Sequence, residues 1–459
     1  MARDVSDSTP IGSKEELISW IAAGEKPESR FRIGTEHEKF PFYREDLAPV
    51  PYEGGAGAGG IRALLEGMQQ RLGWEPIVDA GNIIGLGGPD GGGAISLEPG
   101  GQFELSGAPL ETIHQTQAEL AAHLADVKAV AEPHGIGFAA LGASPLWTRA
   151  QTPMMPKSRY KIMANYMPKV GTMGLDMMFR TCTVQVNLDF ASEADMVRKL
   201  RVSLALQPFA TALFASSPFL ERKLNGFQSM RSEIWRDTDN NRSGMLAFAF
   251  DEGMSYEAYV DWALDVPMYF VKRGETYHDV AGASFRDLMA GKLKQLPGEC
   301  ATMSDWVNHL GTLFPEVRLK RFLEMRGADA GPADMLAALP AFWVGLLYDR
   351  TALDAAWELV KGWSAEQRQG LRDAAPKLGL DASIAGRKLG EIASEVLELS
   401  RAGLARRDRR DAAGHDESIY LAPLQEILAS GQTLAQRLEA RYRGPWGGKV
   451  EPVFTELAL

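Results

Sequence analysis

Cysteine is almost absent: Cys182 and Cys300 are the two thiols in a chain of 459 residues. That is too few for a disulfide framework, so a packed core must hold the fold, and a reducing cytosol is the expected home. Long apolar runs are missing as well. The most apolar stretch, Met335 to Leu347, is too short to span a bilayer and contains Pro340, so no membrane span is expected. Met1 to Pro10 carries acidic residues without an apolar run, which argues against a signal peptide. Basic charge is in deficit, with 49 Lys and Arg against 60 Asp and Glu and a net charge of −11. Nucleic acid and anionic membranes are therefore poor partners, although a local basic pocket for an anionic substrate fits the balance. The glycine run Gly54 to Gly60 lacks the Gly-Lys-Ser/Thr ending of a P-loop. Ahead of a helix it is either a phosphate cradle or a flexible loop, and the loop is expected. No internal repeat or clean linker interrupts the chain.

What is present is core material. With 45% hydrophobic and 24% charged residues, the composition suits one integrated α+β domain. Its sheet-rich part covers about residues 30–330 and a helical part about 333–445. Ser13 to Glu16 reads as a capping box before a first helix, and Ile61, Leu64, Leu65, Met68 and Leu72 mark one side of another. Residues 77–107 read as antiparallel strands turning at Pro89-Asp90-Gly91. Leu110 to Glu132 follows as an amphipathic helix, on which His114 and His123 are expected at the surface. A helix is expected over Ala194 to Leu213.

The chemistry concentrates in strands with one polar face. In Phe31 to Phe40, alternation puts Glu36 and Glu38 on the same side, their Cα atoms about 7 Å apart. Two bare carboxylates there repel by roughly 2 kcal/mol at an effective dielectric of about 20. A strand facing a cavity tolerates that with a hard divalent cation such as Mg²⁺ nearby, whereas a strand facing water needs none. Similar strands recur. Gln102, Glu104 and Ser106 share a face opposite Phe103 and Leu105, with Glu98 close by at the strand start. From Thr181 to Phe190 every odd position is polar, including Gln185 and Asn187, and every even one apolar, including Cys182. Val317 to Arg326 reads as one more strand, placing Glu324 and Arg326 on a face with Arg318 and Lys320 further along. An acid for a metal beside a guanidinium for a phosphate suits phosphoryl transfer; a plain cross-strand ion pair is the alternative. Between these strands, Asn225 to Gly244 supplies Arg231, Trp235 and Arg242, which either meet an acidic substrate or sit in a surface helix and an Asx-rich turn.

The wording of Arg32 to Phe40, Ser96 to Gly107, Arg180 to Phe190, Glu316 to Asp329 and Pro340 to Tyr348 closely resembles glutamate–cysteine ligase of the plant and proteobacterial type, from about residue 12 to the C-terminus. The resemblance implies the first step of glutathione synthesis, in which ATP, L-glutamate and L-cysteine give γ-glutamylcysteine, ADP and phosphate through a γ-glutamyl phosphate. It implies the glutamine-synthetase-like fold, a curved, mainly antiparallel sheet forming a funnel. Carried over, it makes Glu36, Glu38, Glu104 and Glu324 Mg²⁺ ligands, with Glu98 a further candidate. Arg326 would neutralise the transferring phosphoryl group, Gln185 and Asn187 would face nucleotide, metal or substrate, and either Arg231 or Arg242 would meet the substrate carboxylate, with Trp235 as a wall. The redox-regulating cysteine pairs of plant relatives lack counterparts, Val280 and Gln295 standing about where one such pair is expected. A monomer or weak homodimer is expected. The rival functions are a glutamate–amine ligase with another acceptor, a phosphagen-kinase-like phosphotransferase, and a non-catalytic Mg²⁺-nucleotide-binding protein.

Overall fold

Alternating patterns become a nine-stranded sheet in the computed structural model, which describes residues 7–55 and 58–459. Residues 1–6, most of the segment expected to lack a signal peptide, and residues 56–57 of the glycine run lie outside the described residues. The strands are β1 (Ile33–Tyr43), β2 (Glu75–Asp79), β3 (Asn82–Gly87), β4 (Ala94–Leu97), β5 (Phe103–Ser106), β6 (Ile136–Ala139), β7 (Thr183–Leu188), β8 (Val317–Leu319) and β9 (Leu323–Asp329). Their order is β8-β9-β7-β1-β5-β4-β3-β2, with β6 pairing the far end of β1. Every pairing in this sheet is antiparallel. The glutamate strand β1 is thus central, between β5 and β7.

Helices α1 (Lys14–Ala22), α2 (Ile61–Leu72), α3 (Ile113–Ala131), α4 (Ser158–Tyr166), α5 (Gly174–Arg180), α6 (Glu193–Leu213), α7 (Met230–Ile234), α8 (Met303–Gly311) and α9 (Ala333–Leu347) surround it. The dry face of β7 packs on α9, and β9 packs on α6. Val184, Val186 and Leu188 thereby join Leu200, Leu204 and Phe342 in one core, and Cys182 is buried as its place on the dry face requires. The chain stays mainly helical to Arg443. From Met335 to Leu347 helix α9 is buried at every position, which is why that stretch is apolar all round. Its Gly345 lies so close to Gly403 of the helix Leu389–Arg407 that a Cβ on Gly403 would fall 1.9 Å from the Gly345 carbonyl oxygen. Among the described residues, no helix is long and apolar enough to cross a membrane.

Four local expectations need correction. Val317 to Arg326 is not one strand but the hairpin β8–β9, closed by the Lys320 N–H donating to the Phe322 carbonyl at 2.9 Å. Reversal pairs Leu319 with Leu323 and sets Arg318 directly across from Glu324, neutralising a charge that a straight strand would leave alone. Residues 77–107 hold four strands, and the Pro89-Asp90-Gly91 turn joins only β3 to β4. His123 is buried, 6% exposed, because it follows Leu120 and precedes Val127 at helical spacing on the inner side of α3. Ser13 makes no capping bond to the backbone; Glu16 accepts instead from the Gly12 N–H at 3.2 Å.

Candidate active site

The polar faces of β1, β5, β7 and β9 form the floor of a cavity, with α4, α5 and α7 contributing its sides. Glu38 and Glu104 are register partners across β1 and β5, and Glu36 is opposite Ser106 on one side and Gln185 on the other. Glu98 reaches the same cavity from the tight turn between β4 and β5, where its carbonyl accepts from the Gly101 N–H.

Three of the carboxylates are held by neighbouring donors. Glu104, 3% exposed, accepts hydrogen bonds from the Ser96 hydroxyl and from the Ser106 hydroxyl at 3.1 Å. Glu38 accepts from the Thr183 N–H at 2.9 Å, and Glu36 from the Asn187 amide at 2.7 Å. Burial, reinforced by Glu98 and Glu104, pushes the Glu38 carboxyl well above the ordinary range. Burial, then Glu324 and Glu104, raises Glu36. These acids are crowded as the sequence implies.

The facing wall is basic. Arg231, Arg318 and Arg326 line the cavity together with Trp235 and Phe314. Arg326 donates from Nη1 to Gln185 Oε1 at 2.7 Å and pairs with Glu324. Beyond Arg326 a narrow lobe continues between Arg231, Trp235 and Glu316. Arg231 donates from Nη2 to the Arg326 carbonyl at 2.9 Å, while its Nε and the Trp235 Nε1, both buried, have no hydrogen-bond partner. Burial lowers the pKa of Arg231, opposed by Asp329 and Glu38.

Three expected residues stand elsewhere. Asn187 does not line the cavity and acts on it only through its bond to Glu36. Arg242 is fully enclosed: it bonds Asp239 at 2.6 Å and the carbonyls of Thr312 and Pro267, and stacks 3.7 Å from the Tyr269 ring centroid. Of the two arginines weighed, Arg231 is the one on the cavity. Glu324 is fully buried behind that wall, gripped by Arg318 at 2.7 and 2.9 Å, by Lys320 at 3.3 Å and by Arg326. Burial raises its carboxyl, but these cations outweigh burial and hold it well below the usual range. Among the described residues, no group of three or more His, Cys, Asp or Glu side chains forms a ready-made metal cage.

Sequence reasoning passed over other wall residues. Arg159 and Tyr160 come from α4 and Met177 and Met178 from α5, short helices without a chemical pattern. Arg318, expected further along the face of Glu324 and Arg326, reaches the wall because the hairpin folds it back across from Glu324.

The chain matches the profile of Glutamate-cysteine ligase family 2 (GCS2) over residues 32–456. It belongs to this family. The chloroplastic glutamate–cysteine ligase of Nicotiana tabacum is 56% identical over 97% of this chain and 83% of its own length. That of Arabidopsis thaliana is 55% identical over 97% and 83%. A crystal structure of glutamate–cysteine ligase from Francisella tularensis in complex with AMP covers 93% of this chain and 89% of its own, at TM-score 0.54 and 11% identity, and so shares the fold. The α+β fold with a mainly antiparallel sheet is the expected one. The cytosolic location is corrected by the plant relatives, which are named chloroplastic. A low thiol count reports redox chemistry and carries no cellular address.

Proposed function

We propose that this cavity joins the γ-carboxyl of L-glutamate to the amine of L-cysteine with cleavage of ATP, giving γ-glutamylcysteine, ADP and phosphate, the first step of glutathione synthesis. The observation that carries the reading is that four glutamates and four arginines line one enclosure, in a chain 56% identical to a glutamate–cysteine ligase.

Mg²⁺ suits the donor set, since Glu36, Glu38, Glu98 and Glu104 offer only hard oxygens. Such an ion keeps water and phosphate among its ligands, so a cage of three carboxylates is not required. Bound there, it would neutralise nucleotide phosphates and polarise the transferred phosphoryl group. The raised pKa values of Glu36 and Glu38, caused first by burial and then by neighbouring carboxylates, supply a reason for the pocket to favour a cation.

The chain's own residues do the rest by position and charge. Arg326 faces the phosphoryl group, with Gln185 fixing its Nη1. Asn187 keeps Glu36 oriented. The unspent Nε of Arg231 and Nε1 of Trp235 receive the α-carboxylate of glutamate. A γ-carboxylate oxygen attacks the terminal phosphorus of ATP and the bond to ADP breaks. The cysteine amine then attacks the acyl carbon, its C–N bond forms, and phosphate leaves with the bridging oxygen. No side-chain nucleophile is needed. The cavity residues from Glu36 to Arg326 share one continuous sheet and its helices, which fits a single catalytic domain, here proposed to act as a monomer or weak homodimer.

Incubating purified protein with ATP, Mg²⁺, glutamate and a panel of amines tests this by mass detection of the product. Formation of γ-glutamylcysteine with cysteine preferred is expected. Preference for another amine, ADP release without an amide, or nucleotide binding without turnover would each replace the reading.

A further inference from the structure

Asp329, the last residue of β9, is fully buried and belongs to no wall of the cavity. Its Oδ2 accepts from the Ser216 N–H at 3.0 Å and the Ser217 hydroxyl at 2.6 Å, and its Oδ1 from the Ser229 hydroxyl at 2.7 Å. Both hydroxyls pass the connection on to α7. Ser229 accepts from the Ser232 N–H at 3.1 Å as the cap of that helix, and Ser217 accepts from the Arg231 N–H at 3.2 Å. One carboxylate therefore fixes the first turn of the short helix that carries Arg231 and leads into Trp235.

The same carboxylate balances charge. Arg231 is 3% exposed, and Asp329 is the foremost carboxylate offsetting its burial, ahead of Glu38. A second anchor runs from Arg231 Nη2 to the Arg326 carbonyl, also on β9. Strand and helix are thus locked at two points, while Arg231 Nε is left without a protein partner. The fit is close: a Cβ on Gly142 would fall 2.2 Å from the Asp329 Cγ, so only glycine fits against the carboxylate on that side.

We propose that Asp329, through Ser217 and Ser229, is the positioning residue that presents Arg231 to the α-carboxylate of glutamate. It touches no substrate and acts through Arg231, so the claim rests on the reading of Arg231 given above. A preorganised donor loses little freedom when the substrate arrives. Disturbing the anchor should therefore weaken glutamate binding far more than nucleotide binding or the chemical step.

The test measures KM for glutamate, cysteine and ATP, and kcat, in D329N, S217A, R231Q and S217A/R231Q, each checked by thermal melting. In D329N the amide would confront the Ser216 N–H, so this variant can fail to fold; S217A removes one hydroxyl and then decides. The expected result is a rise of fivefold or more in KM for glutamate in S217A and D329N, with KM for ATP within twofold and kcat reduced less than KM rises. The double variant should show no rise beyond that of R231Q. If R231Q raises KM for glutamate and folded S217A does not, the positioning role falls and the Arg231 reading stands. If R231Q leaves KM for glutamate unchanged, or only KM for cysteine rises, both fall.

Discussion

Arg318 grips both oxygens of Glu324 from the directly opposite position of the β8–β9 hairpin, at 2.7 and 2.9 Å. Lys320 and Arg326 complete a ring of three cations around one buried acid. Neutralising the acid would leave three buried cations without their counter-charge, a loss on the order of 3–5 kcal/mol. Glu324→Gln is expected to lower the denaturant midpoint clearly in the absence of substrates. An unchanged midpoint would show that the ring contributes nothing to the fold.

Glu38 should behave in the opposite way. It is buried beside Glu98 and Glu104, which already resist its ionisation. Glu38→Gln keeps an oxygen for the Thr183 N–H and removes the repulsion, so the melting temperature without metal should hold or rise. Turnover should fall by about a hundredfold or more, as expected when charge stabilisation of the transferring group is lost. A paired melt and product assay checks both signs.

Trp235 presents a buried N–H with no acceptor. Such a group is costly in the free protein and valuable once a carboxylate meets it. Trp235→Phe should raise KM for glutamate by about tenfold, the scale of a hydrogen bond to a charged partner, and leave the free protein as stable or slightly more so. Steady-state kinetics beside thermal melting separates the two effects.

His309 gives the protein an acid sensitivity remote from the glutamates. Its Nε2 meets the Ala263 carbonyl at 2.8 Å, its Nδ1 is buried without a partner, and burial lowers its pKa to about 4. The unfolded chain takes up that proton near pH 6.5, the folded chain only near 4. Stability is therefore fully present above pH 6.5 and drains away as pH falls toward 4. The shift corresponds to about 3 kcal/mol. Denaturation curves of wild type and His309→Gln across this window should converge by that amount; parallel curves would refute it.

Much of the site was legible because the pleat of a sheet repeats every two residues. Glu36, Glu38, Glu104, Gln185 and Asn187 revealed their shared face through alternation, and the fold aligned them. Alternation is blind to a reversal that has no glycine or proline. Arg318-Leu319-Lys320-Arg321-Phe322 reads as strand while the chain turns back at Lys320. Arg231 and Arg242 were indistinguishable in sequence, since what separates them is the distant Tyr269 and the Pro267 carbonyl that enclose one and not the other. His123 could have been read as buried from its spacing to Leu120 and Val127. Arg159 and Tyr160 could not, because α4 announces only a short helix.

The central place of β1 between β5 and β7 also has a consequence for how the protein is born. The acidic floor is complete in the chain by Glu104, whereas its cationic counterweights arrive with Arg231, Arg318 and Arg326. At about 5–20 residues per second the ribosome takes roughly 15–60 s between Glu38 and Arg326. Throughout that interval the nascent glutamates must stay hydrated or protonated, and the funnel closes only when β9 docks on β7, late in translation.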